Sequence, residues 1–541
     1  MGPIARPRRT AALPPVIRAL LSPAAYPHPA ASVDLIQTHI SYVLLAGDHA
    51  YKIKKPLDLG FLDYSTLEKR RHFCEEEVRL NRRMCGDTYL GVVPVTEEPS
   101  GGFRLGGDGQ PVEWAVHMRR LPAEGAMPAL LARGEVDFEM IRAVAHRLAE
   151  FHLTSETSEY IASFASVEGV MVNWRENFEQ TEPYIGRTVT REQWEEVKAY
   201  VEGFAARERA LLERRAAEGR ARDCHGDLRA EAIVFKDGDV CIYDCIEFND
   251  RIRYGDVASD MAFLAMDFDF RGRPDLADDL LGLYLNATQD ATLPLVLNFY
   301  RCYRAYVRGK VDGFQIDQPE VGKRQRAAAE RRARRYFRLA RAYAAQRTPR
   351  ALILVSGLSG TGKSFVAYAL ASRLGAQVVS SDVTRKRLAG VPPTEPHVEP
   401  WGKGIYDPAL TERTYAAMLE EAGASLEEGR AVILDATYLK RSHRAAARAL
   451  ARRRRARFLA LDLRCPEDEV RRRLSERVGG RRVVSDGRWE IYQRQKESFE
   501  PLTELTERER MSFDTTKPVT LAIADVFERL RIRSAVNLRA R

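Results

Sequence analysis

The chain has 541 residues, of which 45% are hydrophobic and 30% are charged, and its formal net charge is +9. This length exceeds one hydrophobic core and suggests about three or four domain-sized units, and the composition is that of an ordinary soluble globular protein. No apolar run approaches the ~20 residues of a membrane-spanning helix, so we expect no membrane protein. The positive charge suits an anionic partner such as nucleic acid or nucleotides, and it equally suits a chain that is merely rich in arginine and alanine.

The cysteines are few and give no metal-binding pattern. There are seven, an odd number, and none of them forms a C-x-x-C pair. This argues against a disulfide scaffold and against a zinc site, and it indicates a reducing cytoplasm. Prolines interrupt the apolar part of the basic N-terminal segment, so we expect no signal peptide.

The first part of the chain, residues 1–125, reads mostly as strands with one helix. Residues 41–55 predict a β-hairpin, and Lys52 and Lys54 lie on one face of its second strand because they are two positions apart. A helix follows at 66–84 and carries Glu77 near its middle. A strand lysine, a glutamate on the next helix and a later apolar strand are the parts of a kinase-like N-lobe. The alternative is a solvated basic strand beside a solvated acidic helix. On these residues alone, this alternative is favoured over a kinase-like N-lobe.

The next segment carries two acidic motifs that change this balance. The sequence CHGDLRAEAIVF contains His225-Gly226-Asp227, and a strand ending in Asp244 comes about one hairpin later. One carboxylate suits a catalytic base, and the other suits a metal ion held against phosphates.

Here the chain resembles the aminoglycoside phosphotransferase and choline kinase superfamily, which has a protein-kinase-like fold and the motif H-G-D-x-x-x-x-N followed by I-D. The resemblance implies that Asp227 is the base, that Asp244 holds a metal ion, and that Lys52 or Lys54 holds the α- and β-phosphates and pairs with Glu77. It covers roughly residues 35–310.

This part departs from the family pattern at one position. Ala232 stands where the family has its metal-binding asparagine, and an alanine side chain has no oxygen for a cation. Glu231 and Glu247 are the candidate replacements. The domain is therefore either a second active kinase or a degenerate nucleotide- or substrate-binding unit.

A helical region with a dense arginine run joins the two halves of the chain. Residues 318–349 form this connector, and residues 126–317 before it make up the kinase-like C-lobe. The arginines could bind an anionic polymer, or they could form the solvated face of a helix whose alanine and aromatic residues pack inward. The pattern favours the second interpretation.

Residues 350–541 alternate strands and helices, so we expect a parallel sheet flanked by helices. The first strand, 351–356, runs into GLSGTGKS, which fits the P-loop pattern at every fixed position. Its glycines let backbone N–H groups surround phosphates, Lys363 should reach the β- and γ-phosphates, and the Ser364 hydroxyl should bind Mg²⁺. The nucleotide-binding residues of this loop are Gly357, Ser359, Gly360, Thr361, Gly362, Lys363 and Ser364.

Further charged residues follow the later strands and point to a kinase. Asp382, at the end of the predicted second strand, suits a base that deprotonates an attacking hydroxyl, and Arg385 suits a clamp on the acceptor. Asp435 ends the third strand and suits a Mg²⁺-binding role or a simple helix cap. Arg473 and Arg477 suit a lid over the phosphates or a solvated helix face.

These features resemble the P-loop kinases that include phage polynucleotide kinase, gluconate kinase, chloramphenicol phosphotransferase and the zeta toxins. The order of the two halves resembles bacterial fusions of an aminoglycoside phosphotransferase-like domain with an ATP-binding domain. The resemblance implies an α/β and α+β fold, with Asp382 as general base, Arg385 as a substrate contact, and Arg473 and Arg477 as lid arginines.

We therefore predict a cytoplasmic, Mg²⁺-dependent kinase that moves the γ-phosphate of ATP, or of another nucleoside triphosphate, to a hydroxyl group. The candidate acceptors are a polynucleotide 5′-hydroxyl, on RNA or DNA, and a small sugar-like molecule, and residues 390–415 are the candidate acceptor-binding segment. The alternatives are an ATP-switched nucleic-acid-binding regulator without kinase turnover and a zeta-like toxin. Asp382 with Arg385 favours the kinase, because a pure switch needs no acceptor base. The sequence leaves the oligomeric state open.

Overall fold

The computed structural model describes residues 13–99, 101–319, 321–392, 404–478 and 489–539. Its strands are β1 (Val33–Gln37), β2 (Ser41–Ala46), β3 (His49–Lys54), β4 (Tyr89–Glu97), β5 (Phe103–Leu105), β6 (Gln110–Arg119), β7 (Ala221–Asp223), β8 (Ile233–Lys236), β9 (Asp239–Ile242), β10 (Tyr254–Asp256), β11 (Ala351–Ser356), β12 (Gln377–Ser380), β13 (Val432–Asp435), β14 (Arg457–Arg464) and β15 (Arg510–Asp514).

The α-helices are α1 (Pro15–Ala19), α2 (Leu67–Cys85), α3 (Met127–Arg133), α4 (Phe138–Thr154), α5 (Glu159–Ala165), α6 (Val167–Thr181), α7 (Arg191–Arg207), α8 (Arg209–Arg215), α9 (Asp250–Arg253), α10 (Val257–Phe270), α11 (Pro274–Thr288), α12 (Leu293–Phe314), α13 (Lys323–Ala345), α14 (Lys363–Leu374), α15 (Ser381–Leu388), α16 (Pro408–Glu427), α17 (Arg441–Arg453), α18 (Glu467–Val478), α19 (Trp489–Ser498) and α20 (Val519–Arg529). Within the described ranges, none of these helices is both long enough and apolar enough to cross a membrane.

The chain divides into two compact units. The first contains residues 1–143, 154–164 and 221–256, and the second contains residues 144–153, 165–220 and 257–541. The first unit is built on an antiparallel sheet with the strand order β1-β2-β3-β6-β4-β5. The helix α2 packs against β4, β6 and β9 of this unit, and the Thr66 side chain caps its N-terminus by accepting a hydrogen bond from the Lys69 backbone.

A disulfide bond joins two elements of the first unit. Cys85, the last residue of α2, is bonded to Cys241 in β9, with 4.7 Å between their Cα atoms. The odd cysteine count correctly argued against a full disulfide framework, but it could not detect this single pair. The two residues are 156 positions apart, and only the packing of α2 against β9 brings them together.

The second unit combines a helical region with a parallel sheet. The sheet has the strand order β12-β13-β11-β14-β15, and all its neighbours are parallel, as the alternation of strands and helices predicted. The six residues of β11 are all buried, which explains their continuous apolar run. The second strand, β12, ends at Ser380, so Asp382 lies in the first turn of α15 and not at the end of a strand.

The arginine-rich helix α13 packs along α12 and α7 of the same unit. Its buried face is aromatic and small, with Tyr336, Phe337 and Tyr343 among the buried residues. Several of its arginines pair with acids of that unit: Arg332 binds Asp312 at 2.8 Å, and Arg341 binds Glu192 and Glu196 at 2.8 and 2.6 Å. This arrangement matches the solvated-face interpretation of the arginine run.

Candidate functional site

The P-loop lies between β11 and α14, and two glycines give it its shape. Gly360 and Gly362 have φ angles of 82° and 87°, in the left-handed region that other residues rarely adopt. Lys363 is the first residue of α14, and its Nζ atom donates a hydrogen bond of 3.0 Å to the Leu358 carbonyl. The lysine therefore folds back over the loop, where the N-terminus of α14 favours bound phosphate.

The residue after this lysine bonds to the neighbouring strand. The Ser364 hydroxyl donates a hydrogen bond of 2.7 Å to a carboxylate oxygen of Asp435. Asp435 ends β13, which pairs with β11 so that Val355 and Asp435 are partners. Burial raises the pKa of Asp435, and the charge of Lys363 and the Ser364 hydrogen bond oppose this shift. A hydroxyl and a carboxylate are oxygen ligands of the kind that Mg²⁺ prefers, so the residues present fit this ion.

Asp382 and Arg385 lie one turn apart on α15 but have different surroundings. The strand β12 pairs with β13 so that Ser380 and Asp435 are partners, and Asp382 follows Ser380 by two residues, at the same edge of the sheet. The charge of Asp382 is among the causes that raise the pKa of Asp435. Arg385 is 7% exposed, and its Nη1 atom donates to the Ile405 carbonyl at 2.9 Å and to the Thr411 hydroxyl at 3.0 Å. These bonds tie Arg385 to the start of α16 and to the turn before it.

The candidate acceptor segment is described only in part. Residues 393–403, which include Trp401, lie outside the described residues. Tyr406 is described, and its ring lies under the Arg385 guanidinium, 4.9 Å away.

Arg473 lies beside the P-loop. A Cβ atom added to Gly362 would be 3.4 Å from its Nη1 atom. The guanidinium donates to the Thr515 hydroxyl and carbonyl at 3.0 Å each and to Glu469 at 2.7 Å. These hydrogen bonds fix the positively charged side chain of Arg473 next to the P-loop. The side chain of Arg477 lies outside the described residues.

One further contact of the P-loop could not be predicted from local patterns. The backbone N–H of Ser359 donates a hydrogen bond of 2.7 Å to the side-chain oxygen of Gln495 in α19. Gln495 is 6% exposed, so this bond is part of a buried interface. A glutamine 136 positions away belongs to no motif, and no spacing rule could have found it.

In the first unit, both candidate lysines bind the same glutamate. Lys52 donates 2.8 Å hydrogen bonds to Glu77 and to Asp244. Lys54 donates to the other oxygen of Glu77 at 2.8 Å and also to Glu247. The Lys54 side chain is 0% exposed, whereas that of Lys52 is 14% exposed and reaches Asp244, whose own side chain is 60% exposed. Lys52 is therefore the lysine that faces the open side of this cluster.

Lys52 favours the charged form of its acidic partners Asp244 and Glu77, since its charge lowers the pKa of both carboxyl groups. Burial alone would lower the pKa of Lys52, but the charges of Asp244 and Glu77 raise it well above its usual value. In turn the charge of Lys52 lowers the pKa of Asp244 to about 2. Glu247, one of the candidate replacements for the missing asparagine, is engaged with Lys54.

Asp227 lies in an ion pair with the residue two positions later. Arg229 binds both oxygens of Asp227 at 2.8 and 3.0 Å, and it binds Glu231 at 3.1 Å. His225, just before this pair, contacts the Tyr243 carbonyl at 2.9 Å, which joins the loop to the residues before Asp244. The Arg229 guanidinium therefore binds both Asp227, the candidate base, and Glu231, one candidate replacement for the missing asparagine. Ala232 is buried.

Family models match two parts of the chain. The model of the phosphotransferase enzyme family matches residues 90–295, and the model of an AAA domain matches residues 352–502. The uncharacterized protein Rv2004c of Mycobacterium tuberculosis (strain ATCC 25618 / H37Rv) is 34% identical over 450 residues, which are 83% of this chain and 87% of that protein. The uncharacterized protein Mb2027c of Mycobacterium bovis matches with the same identity and coverage.

Solved structures match each half separately. A gluconokinase from Sinorhizobium meliloti 1021 is 22% identical with a TM-score of 0.25, and the match covers 34% of this chain and 94% of that chain. A choline/ethanolamine kinase family protein from Mesorhizobium loti is 12% identical with a TM-score of 0.35, and the match covers 59% of this chain and 94% of that chain.

Proposed function

Because this chain belongs to the family of the mycobacterial proteins above, and is a kinase that joins a phosphotransferase domain to a P-loop domain, we propose that the P-loop half carries its main activity. In this proposal it moves the γ-phosphate of ATP, or of another nucleoside triphosphate, to a hydroxyl acceptor. One observation carries the proposal: Ser364 bonds to Asp435 at 2.7 Å, and Asp382 lies two residues after Ser380, the strand partner of Asp435. An ATPase needs the Ser364–Asp435 pair, whereas a second acid, Asp382, suits the activation of an acceptor hydroxyl.

The residues divide the work of phosphoryl transfer. The loop N–H groups and Lys363 bind the β- and γ-phosphates, and Arg473 adds positive charge beside them. Asp382 accepts the proton of the acceptor hydroxyl while the oxygen of that hydroxyl bonds to the γ-phosphorus. The bond between the γ-phosphorus and the β,γ-bridging oxygen breaks, and a nucleoside diphosphate leaves. When bound, Mg²⁺ supplies positive charge at the phosphate oxygens, and Ser364 and Asp435 would hold it.

The kinase-like half, in this proposal, binds a nucleotide or a substrate without efficient turnover. Lys52 with Glu77 and Asp244 forms a set suited to phosphate, and Asp244 would hold a metal ion there. The Arg229 pair on Asp227 and the absence of an oxygen at Ala232 oppose catalysis. A base in a bidentate ion pair must be released before it can take a proton.

The acceptor that we propose is a polynucleotide 5′-hydroxyl or a small sugar-like molecule, in the cytoplasm where nucleoside triphosphates are abundant. The competing function, an ATP-switched nucleic-acid-binding regulator, needs basic side chains that can grip phosphates. In α13 the arginines Arg332 and Arg341 already bind acids of their own unit, which supports the kinase.

A phosphate-transfer assay tests this proposal. The full chain is incubated with γ-labelled ATP and three acceptor pools: 5′-hydroxyl oligonucleotides, sugars with their acids, and aminoglycosides. We expect Lys363→Ala and Asp382→Asn to abolish transfer, Asp227→Ala to leave it, and Lys198→Ala, an exchange on α7, to serve as the control. If transfer survives Lys363→Ala but disappears with Asp227→Ala, the assignment to the P-loop half is wrong.

A further inference from the structure

The helix that follows the P-loop packs closely against the helical region of the second unit. Its partner is α11, and Gly282 of this helix lies against Phe365 of α14. A Cβ atom at this glycine would lie 2.8 Å from the Phe365 ring and 3.1 Å from the Phe365 carbonyl. Phe365 directly follows Ser364, so α11 touches α14 next to the candidate Mg²⁺ ligand.

The far end of α14 is anchored by a buried arginine. Arg373 is 3% exposed and donates two hydrogen bonds of 2.8 Å to Asp269 in α10. It also donates to Asp278 in α11, which accepts a 2.9 Å hydrogen bond from Thr520. An ion pair of this kind contributes little net stability but strongly disfavours other arrangements, because any shift leaves a buried charge without its partner.

Between these two contacts, one hydrogen bond joins the helices near the acidic residues of the P-loop site. The Tyr368 hydroxyl donates a 2.9 Å hydrogen bond to the side-chain oxygen of Gln289. Tyr368 lies one turn after Ser364 on the same face of α14. Burial raises the pKa of Tyr368, and the charges of Asp435, Asp290 and Asp382 raise it further.

Gln289 has an unfavourable backbone conformation. It caps the C-terminus of α11 with a φ angle of 53°, in the left-handed region where glycine is preferred. Its side-chain nitrogen donates a 2.7 Å hydrogen bond to the Asn286 carbonyl, and this bond orients the amide so that its oxygen faces Tyr368. A strained residue with a fully directed side chain is the pattern found where function outweighs local stability.

We propose that Gln289 is a positioning residue for the P-loop site. Through Tyr368 it sets the rotation of α14 about its own axis, and thereby the reach of the Ser364 hydroxyl to Asp435. The helical region is then a working part of the P-loop kinase and more than an attached domain. This inference rests on the proposed function only in requiring that the P-loop half bind a nucleotide with Mg²⁺.

The test measures ADP binding to the full chain by calorimetry, with Mg²⁺ and again with EDTA. Gln289→Gly removes the side chain and relieves the backbone strain, and Tyr368→Phe removes the hydroxyl. We expect each to weaken binding in Mg²⁺ by about 3- to 10-fold, the range of one hydrogen bond, and to leave binding in EDTA unchanged. The double variant should be no weaker than either single one.

Two measurements separate positioning from a structural role. Gln289→Gly should keep or raise the thermal midpoint, because glycine suits the left-handed backbone. Tyr306→Phe is the matched control, since its buried hydroxyl bonds Thr181 of α6 at 2.6 Å in the same unit. The inference is overturned if Gln289→Gly and Tyr368→Phe bind ADP in Mg²⁺ as tightly as the parent chain does. It is also overturned if the control Tyr306→Phe loses as much ADP affinity as they do. If the parent chain binds no ADP, the proposed function fails and this inference with it.

Discussion

The Ser364 hydroxyl and the Asp435 carboxylate are 2.7 Å apart, although 71 positions separate them in the chain. Ser364 is the second residue of α14, the helix after the P-loop, and Asp435 ends β13, the strand that pairs with β11. Parallel strands deliver their carboxyl ends to one edge of the sheet, and this edge is where such folds bind ligands.

This pair should govern metal-dependent binding, whereas Asp382 should govern transfer. We expect Ser364→Ala and Asp435→Asn to remove most of the Mg²⁺-dependent part of ADP affinity, because the first deletes an oxygen ligand and the second removes the negative charge that holds the cation. Asp382→Asn should bind MgADP normally and lose phosphoryl transfer by about 10²-fold or more, the usual contribution of a positioned base. Calorimetry and the labelled transfer assay measure these two losses. Equal loss of ADP affinity in Asp382→Asn would contradict this division.

Removing Arg373 alone should strongly destabilise the folded state, although the intact ion pair contributes little net stability. Replacing it with methionine leaves Asp269 and Asp278 buried without their cation, so we expect a loss of about 3–5 kcal/mol in the free energy of unfolding. Arg341→Met is the control, because its partners Glu192 and Glu196 are exposed and such pairs contribute less than about 1 kcal/mol. Urea unfolding of both variants measures the two losses. Similar urea midpoints for the two variants would contradict a stabilising role of the buried Arg373 ion pairs.

Lys52 and Lys54 should differ in what they do, although both bind Glu77. Lys54→Met should destabilise the chain because Lys54 is fully buried with Glu77 and Glu247. Lys52→Met should leave the thermal midpoint nearly unchanged and remove residual nucleotide binding. Nucleotide binding is measured in chains that also carry Lys363→Ala, so that the P-loop does not contribute to it. If Lys54→Met alone removes binding in a folded chain, the assignment must be reversed.

Acid should destabilise the first unit through His117. Burial, followed by the charges of His49 and His28, lowers the pKa of His117 to about 4, from a usual value of 6.5. The folded state therefore binds this proton more weakly than the unfolded chain. The contribution of His117 to the free energy of unfolding is therefore complete above pH 6.5, falls as the pH drops toward 4, and changes no further below that value.

We expect His117→Phe, which keeps a ring stacked on Tyr51, to flatten this fall in thermal midpoint. The exposed His39, replaced by glutamine, is the control. An equal slope in the His117 variant and in the parent would show that another group titrates.

The Cys85–Cys241 bond should be detectable by mass. Alkylation of the denatured chain without reductant should modify five of the seven cysteines, and all seven after reduction. Reduction should lower the free energy of unfolding by about 2–4 kcal/mol, since the bond restricts the unfolded chain. Cys85→Ser should be insensitive to reductant. Seven modified cysteines without reductant would show that the bond does not form.

Local patterns predicted much of the fold. The two-domain kinase organisation and the parallel sheet are confirmed, and the P-loop lies where its motif stands. The site roles of Asp382, Asp435 and Asp227 stay predictions. The pattern left Lys52 and Lys54 equivalent, because alternate strand residues share a face. Only the position of Asp244 and the depth of burial separate them.

By itself the sequence determined what neighbours along the chain can do. The loop GLSGTGKS is shaped by the backbone freedom of consecutive residues, so it can be read without a fold. The tertiary structure alone decided the long-range pairs: Gln495 on Ser359, Gln289 on Tyr368, and the disulfide. Such contacts depend on how distant helices and strands pack, and no periodicity in the chain encodes which side chains will meet.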